Sequence, residues 1–173
     1  MPTLNDNLVL GGTIDGSGDA TGGLIGDNFG VKAVNNLVSN TVAVTGTENG
    51  GIFGWVSNYY LGQKPPSGNF WNTDISVGDA RSNSVGDISG AEGKTTAELD
   101  DYSMYNTASW DIWDLSLGIG TLTDQTWVMS NNVRAPMLRW MLHPVCQDNI
   151  NAVNYTDIGS GTRSDPYLIC FKE

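Results

Sequence analysis

Residues 22–26 read "GGLIG" and residues 50–54 read "GGIFG", the same phrase 28 positions apart. Each has a glycine pair (Gly22-Gly23, Gly50-Gly51), two large apolar residues (Leu24-Ile25, Ile52-Phe53) and a closing glycine (Gly26, Gly54). Glycine costs backbone entropy, so its double use needs a reason. It opens backbone angles closed to other residues and lets another strand come close. Repetition at a period of 20–50 residues is the mark of a stacked array. The apolar stretches here are too short for helices and read as strands.

Working outward, "GGTIDGSGDATGGLIG" (residues 11–26) lies over "NTVAVTGTENGGIFG" (residues 40–54) with one gap, opposite Ala20. That alignment sets Thr13-Ile14 against Val42-Ala43 or Val44. Two such units bury too little on their own, because repeat units need neighbours or caps. The fold class expected is mainly β: a short β-solenoid over residues 1–61, closed by a small cap containing a helix and tryptophans.

Residues 62–95 change character, with Pro65-Pro66 and repeated Gly and Ser marking loops held down by Phe70-Trp71 and Ile75. Thr95 and Glu98 form a capping-box pattern, predicting a helix from Thr96 to Tyr105. Trp110, Trp113, Trp127 and Trp140 stand among Ile, Leu, Met and Val and are expected to fill the cap. The cap region runs over residues 62–145, and residues 146–173 form a terminal segment.

The 173 residues carry 8 Lys+Arg against 19 Asp+Glu, a formal charge of −11. That balance disfavours binding to phosphate backbones, so no nucleic-acid partner is expected. No apolar run approaches the ~20 residues of a membrane helix, so no insertion is expected. The first residues lack the basic and apolar regions of a secretion signal. That leaves a cytoplasmic chain or a piece of a longer exported one.

Cys146 and Cys170 enclose a polar, turn-rich stretch. A disulfide there would close a loop of roughly 25 residues and contribute about 3 kcal/mol. It would also place the chain in an oxidising compartment. Two buried thiols are the alternative.

Candidate chemistry is sparse. Asp15, Ser17 and Asp19 begin like a calcium loop, but the twelfth position is Gly26 where a Glu is needed, so a solvated turn is the plainer reading. Asp100-Asp101 and Asp111/Asp114 are the nearest approach to the paired carboxylates of glycoside hydrolysis. His143 has no nucleophile beside it in sequence, and Asn154–Thr156 fits a glycan-acceptor pattern. Tyr59-Tyr60 is the best candidate for a surface aromatic that stacks on sugar. No catalytic, cofactor-binding or metal-ligating residues are assigned.

The two glycine phrases resemble the GLUG motif, a repeat of bacterial surface adhesins and IgA-protease-like exported proteins. The likeness continues in order through "GNFWNTDIS", "GKTTAEL", "WDIWDL", "TWVMSNNVRAPMLRW" and "GSGTRSDPYLIC". It implies a right-handed β-helix or β-solenoid, export, and a cell-surface or secreted location, with no catalytic site in the repeats. The chain carries two repeats and shows the "DPYLI" opening only at its end, as a fragment of a longer array would. The expected partners are neighbouring repeats or copies of the chain itself, together with a surface ligand such as a glycan. The expected role is a structural or adhesive module. Alternatives are a filament or coat subunit that uses its terminal strand, and a polysaccharide-binding or -cleaving β-helix protein.

Overall fold

In the computed structural model, described over residues 2–16, 20–44, 48–57, 67–76, 90–105, 110–114 and 125–141, the chain is mainly β. The first repeat supplies four strands: β1 (Thr3–Asn5), β2 (Leu8–Gly16), β3 (Ala20–Gly22) and β4 (Ile25–Asn28). The second supplies β5 (Lys32–Val34), β6 (Leu37–Val44), β7 (Glu48–Gly50) and β8 (Phe53–Val56). Each strand pairs in parallel with its counterpart, β1 with β5, β2 with β6, β3 with β7 and β4 with β8. The pairing is position for position: Thr3 faces Lys32, Leu8 faces Leu37, Gly22 faces Gly50 and Ile25 faces Phe53.

The register corrects the alignment made from sequence. Thr13 faces Thr41 and Ile14 faces Val42, one place earlier than expected, and Ala20 has its own partner in Glu48. The extra residue of the first repeat is absorbed between Leu10 and Thr13. Gly11 (φ 65°) and Gly12 (φ 79°) there take left-handed angles and form a bulge. Glycine bears that conformation cheaply, and the displacement keeps apolar Ile14 against fully buried Val42.

Residues 69–72 and 91–94, within a stretch read from sequence as loop, extend the same sheet. β9 (Asn69–Asn72) pairs in parallel with β6, and β10 (Ala91–Lys94) pairs in parallel with β9. The resulting sheet has the order β10-β9-β6-β2. Three of its strands carry two apolar residues in succession, Leu8-Val9, Leu37-Val38 and Phe70-Trp71, set side by side. Successive strand residues point to opposite faces. Val9, Val38 and Trp71 therefore pack inward with Ile52 and Phe53, while Leu8, Leu37 and Phe70 pack against the cap. Both faces are covered, as a parallel sheet requires.

The cap comprises two one-turn helices, α1 (Thr96–Leu99) and α2 (Tyr102–Tyr105), and a sheet of β11 (Ile112–Asp114), β12 (Trp127–Ser130) and β13 (Arg134–Leu138). The capping box forms: the Glu98 amide donates to Thr95 Oγ1 at 3.2 Å and the Thr95 amide to Glu98 Oε2 at 2.8 Å. The helix does not run on to Tyr105. Asp101 interrupts it, its Oδ1 accepting the Ser103 amide at 2.9 Å and starting a new turn. Short polar side chains compete with helix continuation in this way.

Aromatic packing in the cap follows the expectation for Trp110 and Trp127, whose centroids lie 4.6 Å apart, and departs from it for Trp140. Leu138 is the last inward residue of β13, and the chain then turns through Arg139–Met141. Trp140 is thereby left 74% exposed. Ile75, expected as an anchor, is also exposed, whereas Phe70 and Trp71 are buried.

Candidate functional site

The glycine phrases occupy adjacent positions, and at Gly22, Gly23, Gly51 and Gly54 there is no room for a β-carbon. A β-carbon on Gly22 would lie 2.6 Å from the Gly54 amide nitrogen and 2.7 Å from the Ile52 carbonyl oxygen. The Gly23 amide donates to the Gly50 carbonyl at 3.2 Å, and Leu24 and Ile25 both donate to the Ile52 carbonyl. Ile52 and Phe53 are fully buried, while Leu24 and Ile25, on the first repeat, are half-buried.

A second column, not found from sequence, runs beside them. Asp6 (φ 55°), Asn35 (φ 54°) and Gly68 (φ 63°) stand at one corner in the left-handed region, and Gly90 (φ 89°) holds the matching place ahead of β10. Asparagine, aspartate and glycine are the residues that tolerate this region. Directly after the first three come Asn7, Asn36 and Asn69, which form a hydrogen-bonded ladder. The Asn7 amide and Nδ2 donate to Asn36 Oδ1 at 2.9 and 2.8 Å. The Asn36 amide and Nδ2 donate to Asn69 Oδ1 at 3.3 and 2.7 Å. Asn69 Nδ2 closes the series on the carbonyls of Ala33, Ser67 and Gly90. Asn36 and Asn69 are fully buried, so each amide group must be satisfied internally, and the ladder does so. Two cap indoles bond to the corner column: Trp127 Nε1 to Asp6 Oδ1 and Trp110 Nε1 to the Gly68 carbonyl, each at 3.0 Å.

The ladder ends openly at the first repeat. Among the described residues, β1, β2, β3 and β4 each have a partner strand on one edge only, and Asn7 Oδ1 accepts no hydrogen bond. Leu10, near the ladder, is 56% exposed.

One outward face carries aromatics. Phe29, 62% exposed, lies 5.1 Å from the ring of Trp55, and exposed Asp27 pairs in register with Trp55. Asn28 shapes the turn that presents Phe29, its Oδ1 accepting the amides of Gly30 and Val31.

The candidate carboxylates serve backbone groups. Asp111 Oδ2 accepts the Thr126 amide at 2.9 Å, and Asp114 Oδ1 accepts the Asn131 amide at 3.2 Å. Asp111 is exposed and Asp114 buried. Three residues apart along an extended segment, they lie on opposite faces, which does not bring them together as a pair. Burial raises the pKa of Asp100, opposed by the hydrogen bond from the Ala135 amide. Tyr105, buried and near Asp100, donates its hydroxyl to the Leu99 carbonyl and is held protonated by that burial.

Asp15 lies exposed in β2, while Ser17 and Asp19 fall outside the described residues, as do Tyr59-Tyr60, His143, Cys146, Asn154–Thr156 and Cys170. The backbone of Trp113 lies in β11, but its side chain is not described. No group of three metal-ligating side chains occurs among the described residues. No helix among them is long and apolar enough to cross a membrane. Comparison of the sequence with protein-family models, with curated proteins and with solved structures gives no match.

Proposed function

We propose that the chain is a right-handed β-solenoid module of the GLUG-repeat kind, part of an exported bacterial surface protein, and that its work is structural. A stiff stack of coils carries loops outward, where they meet a surface ligand. The observation that supports this most is the column of equivalent residues: left-handed Asp6, Asn35 and Gly68, followed by the ladder Asn7, Asn36 and Asn69. Side-chain ladders that repeat at every coil resist bending and unwinding, because each rung is bonded to its neighbours.

Replacement in the parent protein tests the role. An unrelated solenoid of equal length, put in place of this module, should keep its flanks exposed to antibody on intact cells. Adhesion that survives the replacement marks a spacer; adhesion that is lost marks the loops as the binding element. Labelling of the module only in permeabilised cells would overturn the surface assignment.

A second reading, contact with polysaccharide, has one observation in its favour. Exposed Phe29 packs on half-buried Trp55, whose register partner is exposed Asp27; an apolar platform near a hydrogen-bond acceptor is the pairing that a sugar ring requires. Glycan-array binding that disappears in Trp55→Ala supports it, and equal binding by that variant removes it.

A further inference from the structure

The hydrogen bonds of the asparagine ladder have a direction, and it decides what fits the open end of the stack. In each step the earlier coil's Asn gives its backbone amide and Nδ2 to the later coil's Oδ1. The later coil answers through the next residue: the Leu37 amide donates to the Asn7 carbonyl at 2.9 Å, and the Phe70 amide to the Asn36 carbonyl at 2.9 Å. Leu8 holds the place of Leu37 and Phe70, so its amide is the matching donor on the open side. Among the described residues, the first coil therefore displays one free acceptor, Asn7 Oδ1, and one outward donor, the Leu8 amide, at fixed spacing.

Other features of this edge agree. Its only charged residue between Thr3 and Leu10 is Asp6, whose carboxylate is engaged by Trp127. Solvated edges are commonly protected by several charges, and this stretch lacks them. The Gly11–Gly12 bulge shifts the register immediately beyond, so Thr3–Leu10 is the stretch that offers an added strand an unshifted register.

Resting on the solenoid reading, we propose that Thr3–Leu10 is the docking edge for one further coil of the same polypeptide direction. That coil would carry an asparagine after a left-handed corner residue and lie on the amino-terminal side of the stack. Its Asn amide and Nδ2 donate to Asn7 Oδ1, and its Asn carbonyl accepts from the Leu8 amide. Strand order supports a preceding coil: β2, β6, β9 and β10 stack in the order in which they occur in the chain. The far end of a second copy does not supply the same group. There β10 places Ala91 opposite Asn69, with no side-chain amide to offer.

The test splices a second copy of residues 3–31 directly ahead of Thr3 and follows amide exchange residue by residue. Exchange of the Leu8 amide should slow roughly tenfold or more relative to the parent. That gain should fall away when the copy's own asparagine is removed (Asn7→Ala in the copy alone). Equal protection with that alanine overturns the proposal. So does an appended copy that exchanges as unfolded chain beside an unchanged Leu8 amide, and so does grafting that strips protection from Leu37 and Phe70. Concentration-dependent protection of Leu8 in the parent would assign the edge to a second copy instead. The solenoid reading has its own control: Leu37 and Phe70 amides that exchange at unfolded rates in the parent would sink that reading.

Discussion

Gly51 lies against the indole of Trp71 so closely that a β-carbon on the glycine would overlap the ring. One repeat earlier, a β-carbon on Gly23 would come within 2.7 Å of Val38 Cγ1. Val38 and Trp71 are register partners, so the second glycine of each phrase meets the equivalent residue on the next strand of the sheet. This accounts for glycine at that place in both phrases, since no side chain fits between the glycine and that inward residue.

Gly51→Ala should accordingly lower stability by about 2–3 kcal/mol, the scale of overpacking in a dense core. Denaturant unfolding reads it. In a Trp71→Val background, where the next residue is the smaller one found at Val38, the same change should cost at least about 1 kcal/mol less. Equal costs in the two backgrounds would show that the glycine serves some purpose other than room for the indole.

Asn36 is fully buried and makes four side-chain hydrogen bonds: two received from Asn7 and two given, to Asn69 Oδ1 and, at 3.1 Å, to the Leu4 carbonyl. Asn36→Ala leaves buried partners unpaired at about 1–3 kcal/mol each, so a loss of roughly 3 kcal/mol is expected. Asn36→Asp keeps the acceptor but loses both donors and buries a charge, so it should cost at least as much at neutral pH. A chevron or equilibrium urea series distinguishes these. A change below about 0.5 kcal/mol for either variant would mean that the ladder is ornamental.

Acid should act first at the start of α1. Hydrogen bonds from Thr95, amide then hydroxyl, lower the pKa of Glu98, and the Thr96 amide and hydroxyl do the same for Asp74. A carboxylate with a depressed folded pKa adds stability above its unfolded value, about 4, and loses it as pH falls through the folded value. Asp100 has the opposite sign. Burial raises its folded pKa, so its favourable contribution is complete below the unfolded value and fades as pH rises. Glu98→Gln should flatten the loss of stability below pH about 4, and Asp100→Asn should gain on the parent between pH about 4 and 7. Thermal melts across that range give both slopes, and parallel curves for parent and variants would refute the assignments.

Legibility from sequence followed the cost of each residue. The glycine phrases were readable because two adjacent glycines in an apolar stretch are expensive unless a neighbour needs the space. The capping box was readable because Thr95 and Glu98 satisfy each other locally. The asparagine ladder was not, for two reasons. Its corner residue changes from Asp6 to Asn35 to Gly68, one backbone angle met by three side chains. Its spacing also widens from 29 residues to 33, so no fixed period aligns Asn69 with Asn36. For the same reason β9 was hidden in turn-rich sequence, although Asn69-Phe70-Trp71 repeats the plan of Asn36-Leu37-Val38. Trp140 misled because composition marks a tryptophan as core, while the end of β13 decides which way it points.

Among the described residues, the hydrogen bond of greatest sequence separation joins Asp6 to Trp127, 121 residues apart, through a 3.0 Å bond from indole Nε1 to carboxylate Oδ1. It fastens the corner of the first repeat to a fully buried ring in the cap. Asp6→Asn keeps an acceptor oxygen and a side chain that tolerates φ 55°, so the change should stay within about 0.5 kcal/mol. Asp6→Gly suits the backbone angle but strands the indole donor, for a net loss of about 1 kcal/mol. Asp6→Ala meets both penalties, the lost acceptor and the left-handed angle, and should cost about 2–3 kcal/mol. The order Asn, Gly, Ala is the discriminating result. Fluorescence of Trp127, read as a shift against the other indoles in a Trp127→Phe difference spectrum, should change with Gly and Ala and hold with Asn. Equal stability for all three variants would show that the first repeat and the cap are held together by apolar packing alone.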